Sequence, residues 1–248
     1  MQVLRDQLTI PGWLLLGATL QGLLCLLPYR NIALVAPTFI FIAFRAVRSL
    51  LMIFGITKNT YMDGVIPGRS VPIIASEKGG RNGPAEQQLC IINLGTRCNH
   101  PLGIFAPGFA EVGRRFDEMV VELDKDPEKY GFLGCNTMLN TTDRSHGSEL
   151  NNLLYFKSLE HLHDFAHGPM HTSALVWWSQ EEKKLGHISI NHEIYVAPKN
   201  SWEGTFINNH PTGLGATSTL ATMDDGSKAW VNSLVKGKGK LTYSKGRM

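Results

Sequence analysis

The sequence predicts an α+β fold: a ferredoxin-like β-α-β-β-α-β unit over residues 88–198, preceded by an N-terminal membrane helix or helical hairpin. Three observations carry this expectation. The apolar period alternates between strand-like and helix-like after residue 88, long uncharged runs occupy the N-terminus, and 248 residues with 43% hydrophobic content suffice for one sizeable core. Residues 1–57 read as a membrane segment, 58–87 as a linker, and 199–248 as a wrap with a flexible basic tail.

From Trp13 to Leu27 and again from Ile32 to Phe44 no residue is charged, with only Pro28, Tyr29, Arg30 and Asn31 between them. A span needs about 20 apolar residues, so each piece alone is short. Either one helix spans and the next, with Arg45 and Arg48 on its later turns, lies at the interface, or the two form a shallow hairpin. A cleaved signal peptide fits less well, because apolar character persists to Ile56. Arg45, Arg48, Lys58, Arg69, Lys78 and Arg81 follow, which predicts a cytosolic main domain on a membrane such as the endoplasmic reticulum. The sequon Asn140-Thr141-Thr142 would matter only on the luminal side and reads as a chance match.

Lys58 to Glu86 contains Pro67, Pro72 and Pro84 and several glycines with no sustained period. Leu89 to Leu94 then reads as a strand, and Phe109 to Lys125 as an amphipathic helix with Phe109, Val112, Phe116, Met119, Val120 and Leu123 on one side. Asp126-Pro127 and Gly131 end it. Phe132 to Leu139 and Leu150 to Phe156 read as the next two strands. Ser158 opens a second helix that reaches Lys184, with Gly168-Pro169 expected to break or kink it, and His187 to Val196 is the last strand. Helices cover one face of such a sheet. Pairing two sheets into a dimeric α+β barrel would cover the other and predicts a homodimer.

Several classes are excluded. The net charge of +3 is small, and Lys236, Lys238, Lys240, Lys245 and Arg247 are interleaved with glycine, which argues against nucleic acid as a partner. Cys25, Cys90, Cys98 and Cys135 form no CxxC pair and read as free thiols. There is no GxGxxG turn, P-loop or nucleophile elbow.

On the last strand, Ile188, Ile190 and Ile194 share a face with His192, while His187, Ser189, Asn191, Glu193 and Tyr195 share the other. If that second face lines a pocket, Glu193 is a desolvated general base; the alternative is a simply solvated face. His163, His167 and His171 follow at helical steps beside His161, yet Gly168-Pro169 interrupts them and no HExxH occurs, so no metal site is expected. His171 is the best pocket-facing candidate. Within Asn200 to Gly215, Trp202 and His210 either close the mouth of an apolar pocket or belong to a strap over the sheet.

The run Leu153-Leu154-Tyr155-Phe156-Lys157-Ser158-Leu159-Glu160-His161-Leu162, then His171 with Trp177-Trp178, then His192-Glu193-Ile194-Tyr195, Asn200-Ser201-Trp202-Glu203 and Asn208 to Gly213 together resemble a fungal monooxygenase-like family. That family is similar to the antibiotic-biosynthesis monooxygenases and, distantly, to haem-dependent aldoxime dehydratases. The resemblance covers about Cys90 to Thr217. It implies a dimeric α+β barrel, a setting in fungal terpene or polyketide metabolism, and a site around His171, Glu193, Tyr195 and Trp202. The expected activity is a cofactor-independent monooxygenation of a lipophilic small molecule, with dioxygen as co-substrate and no flavin, metal or haem. Glu193 or His171 would be the base, and Asn191, Tyr195, Trp202 and His210 would bind the substrate. A cyclase on the same scaffold and a noncatalytic membrane-anchored binding protein are the alternatives.

Overall fold

Thr9 starts the first helix of the computed structural model, which describes residues 9–81, 83–141 and 149–248. Its hydroxyl accepts from the Gly12 amide at 3.2 Å, and Pro11 sits in the first turn, where its missing N–H costs nothing. This helix, α1 (Ile10–Leu24), is about 22 Å long at 1.5 Å per residue. After a turn with Tyr29 at a positive φ of 59°, α2 (Arg30–Ile53) runs for 24 residues, roughly 36 Å, with mean hydropathy 1.7 and no buried residue in its apolar window. It is long and apolar enough to cross a membrane; α1 is shorter. The helix expected to lie at the interface, the one holding Arg45 and Arg48, is thus the longer of the two. The stripe Phe44, Val47 and Leu51 keeps the helical period past Phe44, so the helix continues to Ile53. These elements belong to one compact unit that ends at Val65; a second runs Ile66–Met248.

In the second unit the central sheet has the order β3-β4-β2-β5, all antiparallel, formed by β2 (Leu89–Cys98), β3 (Phe132–Asn140), β4 (Glu149–Phe156) and β5 (Ile188–Ala197). With α3 (Phe109–Lys125) between β2 and β3, and α4 (Leu159–Ala166) and α5 (Pro169–Glu181) between β4 and β5, this is the split ferredoxin-like order. Glu111 in the first turn of α3 and Lys125 in its last complement the helix dipole. Ser158 caps α4 by accepting from the His161 amide, and the single helix expected to Lys184 is two, because Pro169 cannot continue the ladder and opens α5 instead. Gly131 permits the turn into β3: its φ is +54°, and a Cβ there would stand 2.5 Å from the His161 ring.

The helix-side core joins Cys90, Phe132, Leu154 and Phe156 of the sheet to Leu123 of α3 and Leu162 and Phe165 of α4. Phe156 is wholly buried, a burial that contributes about 1.5–3 kcal/mol. On the opposite face, Leu89, Leu133 and Tyr155 are covered by Ile74, Ala85 and Trp202. This cover comes from segments read as linker and tail. The former linker contains β1 (Ile66–Pro72), which pairs with β6 (Phe206–Asn209) and β9 (Leu234–Lys236). The former tail also holds the hairpin of β7 (Ser218–Thr222) and β8 (Lys228–Asn232). The signal for β1 is not local, since it finds its partners at the far end of the chain. Thr142 of the sequon lies outside the described residues.

Trp202 is 8% exposed and its indole N–H donates to the Gln87 carbonyl at 2.8 Å. Trp202→Ala should lower stability by about 3–5 kcal/mol. Trp202→Phe, which keeps the packing and loses the hydrogen bond, should cost about 1 kcal/mol, both read by denaturant unfolding.

Candidate functional site

The register of β5 on β2 decides which side chains meet. Asn93 stands opposite Glu193, and Gly95 opposite Asn191, so these positions and Tyr195 project from the sheet face away from the helices. Across β2, Asn93 pairs with Leu153 and Gly95 with Asn151, and β4 in turn sets Glu149 opposite Asn140 of β3. One end of this face is the apolar patch under Trp202. The other is a band of amides and carboxylates.

Within the band the Tyr195 phenol donates to Glu193 Oε2 at 2.5 Å. This bond and the negative charge of Glu193 hold the Tyr195 phenol above the ordinary tyrosine range, since its proton is the one that makes the bond. Asn191 Nδ2 donates to Glu149 Oε1 at 3.2 Å, and Asn140 Nδ2 donates to Glu149 Oε2 at 3.2 Å. Asn191 lies over β2 to make that contact, and Gly95 leaves the room: a Cβ at Gly95 would stand 2.5 Å from Asn191 Oδ1. Asn93 Oδ1 is shielded from water and accepts no hydrogen bond among the described residues. Asn136 accepts from the Gly213 amide at 3.1 Å and the Thr212 hydroxyl at 3.2 Å, which ties the strap after β5 to this face.

Of the residues singled out from sequence, the structure brings Asn191, Glu193 and Tyr195 together. Glu193 is exposed, so the desolvation foreseen for it is not supplied by this chain's own atoms. His171 is elsewhere. Its ring lies 6.0 Å from Phe165 of the helix-side core, and the sheet separates it from Glu193, so one reacting atom cannot use both. The Ala166 carbonyl, 2.8 Å from His171 Nδ1, can only accept; Nδ1 therefore carries the proton and Nε2 is left as the basic nitrogen. Trp202 fills the apolar end of the sheet face instead of walling an open pocket, and His210 is exposed just beyond β6. Glu149, Asn140, Asn93 and Asn136 escaped the sequence reading. The alternation of β4 from Glu149 through Asn151 to Leu153 marks its polar side, but only the register shows that it faces Asn191.

His163 and His167 are exposed with rings 5.8 Å apart, and His161 Nδ1 lies 2.8 Å from the Ser158 hydroxyl. Among the described residues no three His, Cys, Asp or Glu side chains group as a metal-ligand set. Burial raises the thiols of Cys90 and Cys98 and pushes Cys135 up to about 11, so none of the three is a ready thiolate near neutral pH.

The fold and the site define a ferredoxin-like split α+β protein that carries a carboxylate–phenol pair on an open sheet face. Residues 89–214, just over half of the chain, match the family described as Monooxygenase af470-like, and the chain belongs to that family. It is similar to "Monooxygenase af470" of Aspergillus fumigatus, with 30% identity over 236 residues that cover 94% of this chain and 84% of that protein. Among solved structures, an aldoxime dehydratase (OxdRE) in complex with butyraldoxime aligns with TM-score 0.42 and 18% identity over 67% of this chain, which spans 40% of that protein. SnoaB, a cofactor-independent oxygenase from Streptomyces nogalater, aligns with TM-score 0.30 and 11% identity over 44% of this chain and 91% of its own.

Two outcomes follow from the geometry. Gly95→Ala should drive the Asn191 side chain off the sheet and break its bond to Glu149, costing about 1 kcal/mol in stability; Asn191→Ala should remove most of that penalty in the double variant. In a spectrophotometric titration corrected with Tyr195→Phe, Tyr195 should ionise above the usual pH of about 10. Glu193→Gln should bring it back down. Because the folded phenol is raised, any stability it adds is present below its unfolded pKa and fades as pH rises through the folded one.

Proposed function

We propose that this protein is a membrane-attached, cofactor-independent monooxygenase that acts on a lipophilic terpenoid or polyketide intermediate of fungal secondary metabolism, with Glu193 as its base. The carrying observation is the Glu193 carboxylate, held by the Tyr195 phenol on an open polar sheet face, in a chain of a monooxygenase family. Such a carboxylate takes a proton from an activated methylene, and the carbanion passes one electron to dioxygen. The radical pair combines to a hydroperoxide at that carbon. Loss of water, with the second hydrogen, leaves a carbonyl. One methylene and one dioxygen give one carbonyl and one water, so the substrate supplies every electron that dioxygen takes up.

Tyr195 is placed to hold the carboxylate and to return a proton to the peroxide oxygen. Asn93 Oδ1, shielded and without a donor among the described residues, is suited to a substrate hydroxyl, and Asn191, braced by Glu149, to a second polar group. A second copy laid over the polar end of the sheet would enclose this band and supply the dryness that Glu193 lacks in one chain; we include that homodimer in the reading. The 24-residue α2 supports membrane attachment, with the basic residues after it favouring a cytosolic main domain.

The test is incubation of the full-length protein with the intermediate that accumulates in a gene-deleted host, under isotopically heavy dioxygen. The product should gain one heavy oxygen and lose two hydrogens. Conversion without a change of mass would replace this reading with a cyclase, and no conversion with a binding protein. Glu193→Gln should slow turnover about a hundredfold or more, while His171→Ala stays within a few-fold. The opposite ranking would move the base to the helix side of the sheet.

A further inference from the structure

The chain reverses sharply where α2 ends. Gly55, at φ 70°, donates its amide to the Met52 carbonyl at 3.1 Å, and the Ile56 amide donates to the Leu51 carbonyl at 2.9 Å. This pair of bonds is a Schellman motif, and it turns residues 57–60 back along the last turns of the helix. Thr60 then meets α2: its hydroxyl accepts from Arg48 Nη2 at 3.3 Å and lies 3.7 Å from Met52 Sδ. Between the helix and the returning segment is a cavity of about 250 Å³, lined by Phe44, Val47, Leu51, Arg48, Lys58 and Thr60 among others.

The lining is divided. Phe44, Val47 and Leu51 form one apolar stripe of α2, with Phe44 and Val47 58% and 54% exposed. Arg48, Lys58, Thr57 and Thr60 complete the lining, so that a guanidinium, an ammonium and two hydroxyls border a surface that is itself almost wholly apolar. Asp63 pairs with Lys58 at 2.5 Å, and with Arg48 beside them the three side chains leave a net positive charge at the cavity. Arg48 is about 7–8 Å back from the last residue of α2 along the axis, within the reach of a snorkelling side chain from the headgroup level.

We propose that this cavity is a seat for one anionic phospholipid, with its phosphate at Arg48, Lys58 and the Thr60 hydroxyl and an acyl chain along Phe44, Val47 and Leu51. The inference rests on the membrane-attached reading of α2. An apolar groove bordered by two cationic side chains and two hydroxyls matches a phosphate monoester or serine headgroup, and a zwitterionic headgroup of the same chain length would bring its own cation against Arg48. The seat is made by one helix and the segment that folds back on it, so it needs no contribution from the sheet domain.

The full-length protein, purified and delipidated in mild detergent, is titrated with phosphatidic acid and with phosphatidylcholine of the same acyl chains, and retained lipid is counted by native mass spectrometry. Phosphatidic acid should be retained about tenfold more tightly or better. Arg48→Gln with Lys58→Gln should bring the two lipids level, and Phe44→Ala with Val47→Ala should weaken both. Inorganic phosphate at equal concentration should not displace the lipid; displacement would overturn the lipid in favour of a free-anion site. Equal retention of the two lipids by the unsubstituted protein would also overturn the seat. Flotation with neutral phosphatidylcholine vesicles separates the two readings: a protein that floats but shows no preference keeps its membrane attachment and loses the seat, whereas one that does not float loses both.

Discussion

The antiparallel pairing of β2 with β5, from Leu89 opposite Ala197 to Cys98 opposite Ile188, is the constraint on which the rest of the domain depends. Side chains alternate across a sheet with a period of two, so a slip of one residue would exchange the two faces of β5. Asn191, Glu193 and Tyr195 would turn under the helices, and Ile190, His192 and Ile194 would replace them outside. The register is held from both sides. Ile188 packs with Cys98, Phe109 and Leu185 on the helix side, and Ala197 packs near Leu89 and Trp202 on the other.

The sheet therefore has three surfaces rather than two. Its helix side is a core of conventional composition. Its opposite side is apolar beneath Trp202 and polar from Asn93 outward, and the strap crosses the boundary, buried through Trp202 and hydrogen-bonded through Thr212 and Gly213 to Asn136. The same segment that completes the core thus borders the polar band. A change in the strap acts on the band through packing, without touching Glu193 or Tyr195.

Much of this was legible in the sequence where the signal is local. The helix from Phe109 to Lys125 follows directly from its apolar period, and the strand from Phe132 and the break at Gly168-Pro169 from turn chemistry. The grouping of Asn191, Glu193 and Tyr195 followed from alternation alone. What alternation could not show is which strand lies beside which. The Glu149 contact to Asn191, the passage over Gly95 and the unanswered Asn93 oxygen all depend on pairings between distant segments. Histidines at helical spacing suggested a shared stripe, but the proline start of α5 sends His171 to a different neighbour. β1 was hidden because a short run holding two prolines and a glycine becomes a strand only when partners are delivered to it.

That delivery also has a time scale. Ser70 of β1 pairs with Lys236 of β9, so during synthesis the strand is made long before its partner emerges. At ribosomal elongation rates of about 5–20 residues per second, the interval is roughly ten seconds or more. Throughout it, the side of β1 that β9 will cover is unpaired beside Val71, Ile73 and Ile74, all nearly inaccessible in the finished fold. An edge of unsatisfied backbone beside three apolar side chains is a ready target for a chaperone or for another nascent chain. The arrival of β9 thereby governs how long that side of β1 stays vulnerable.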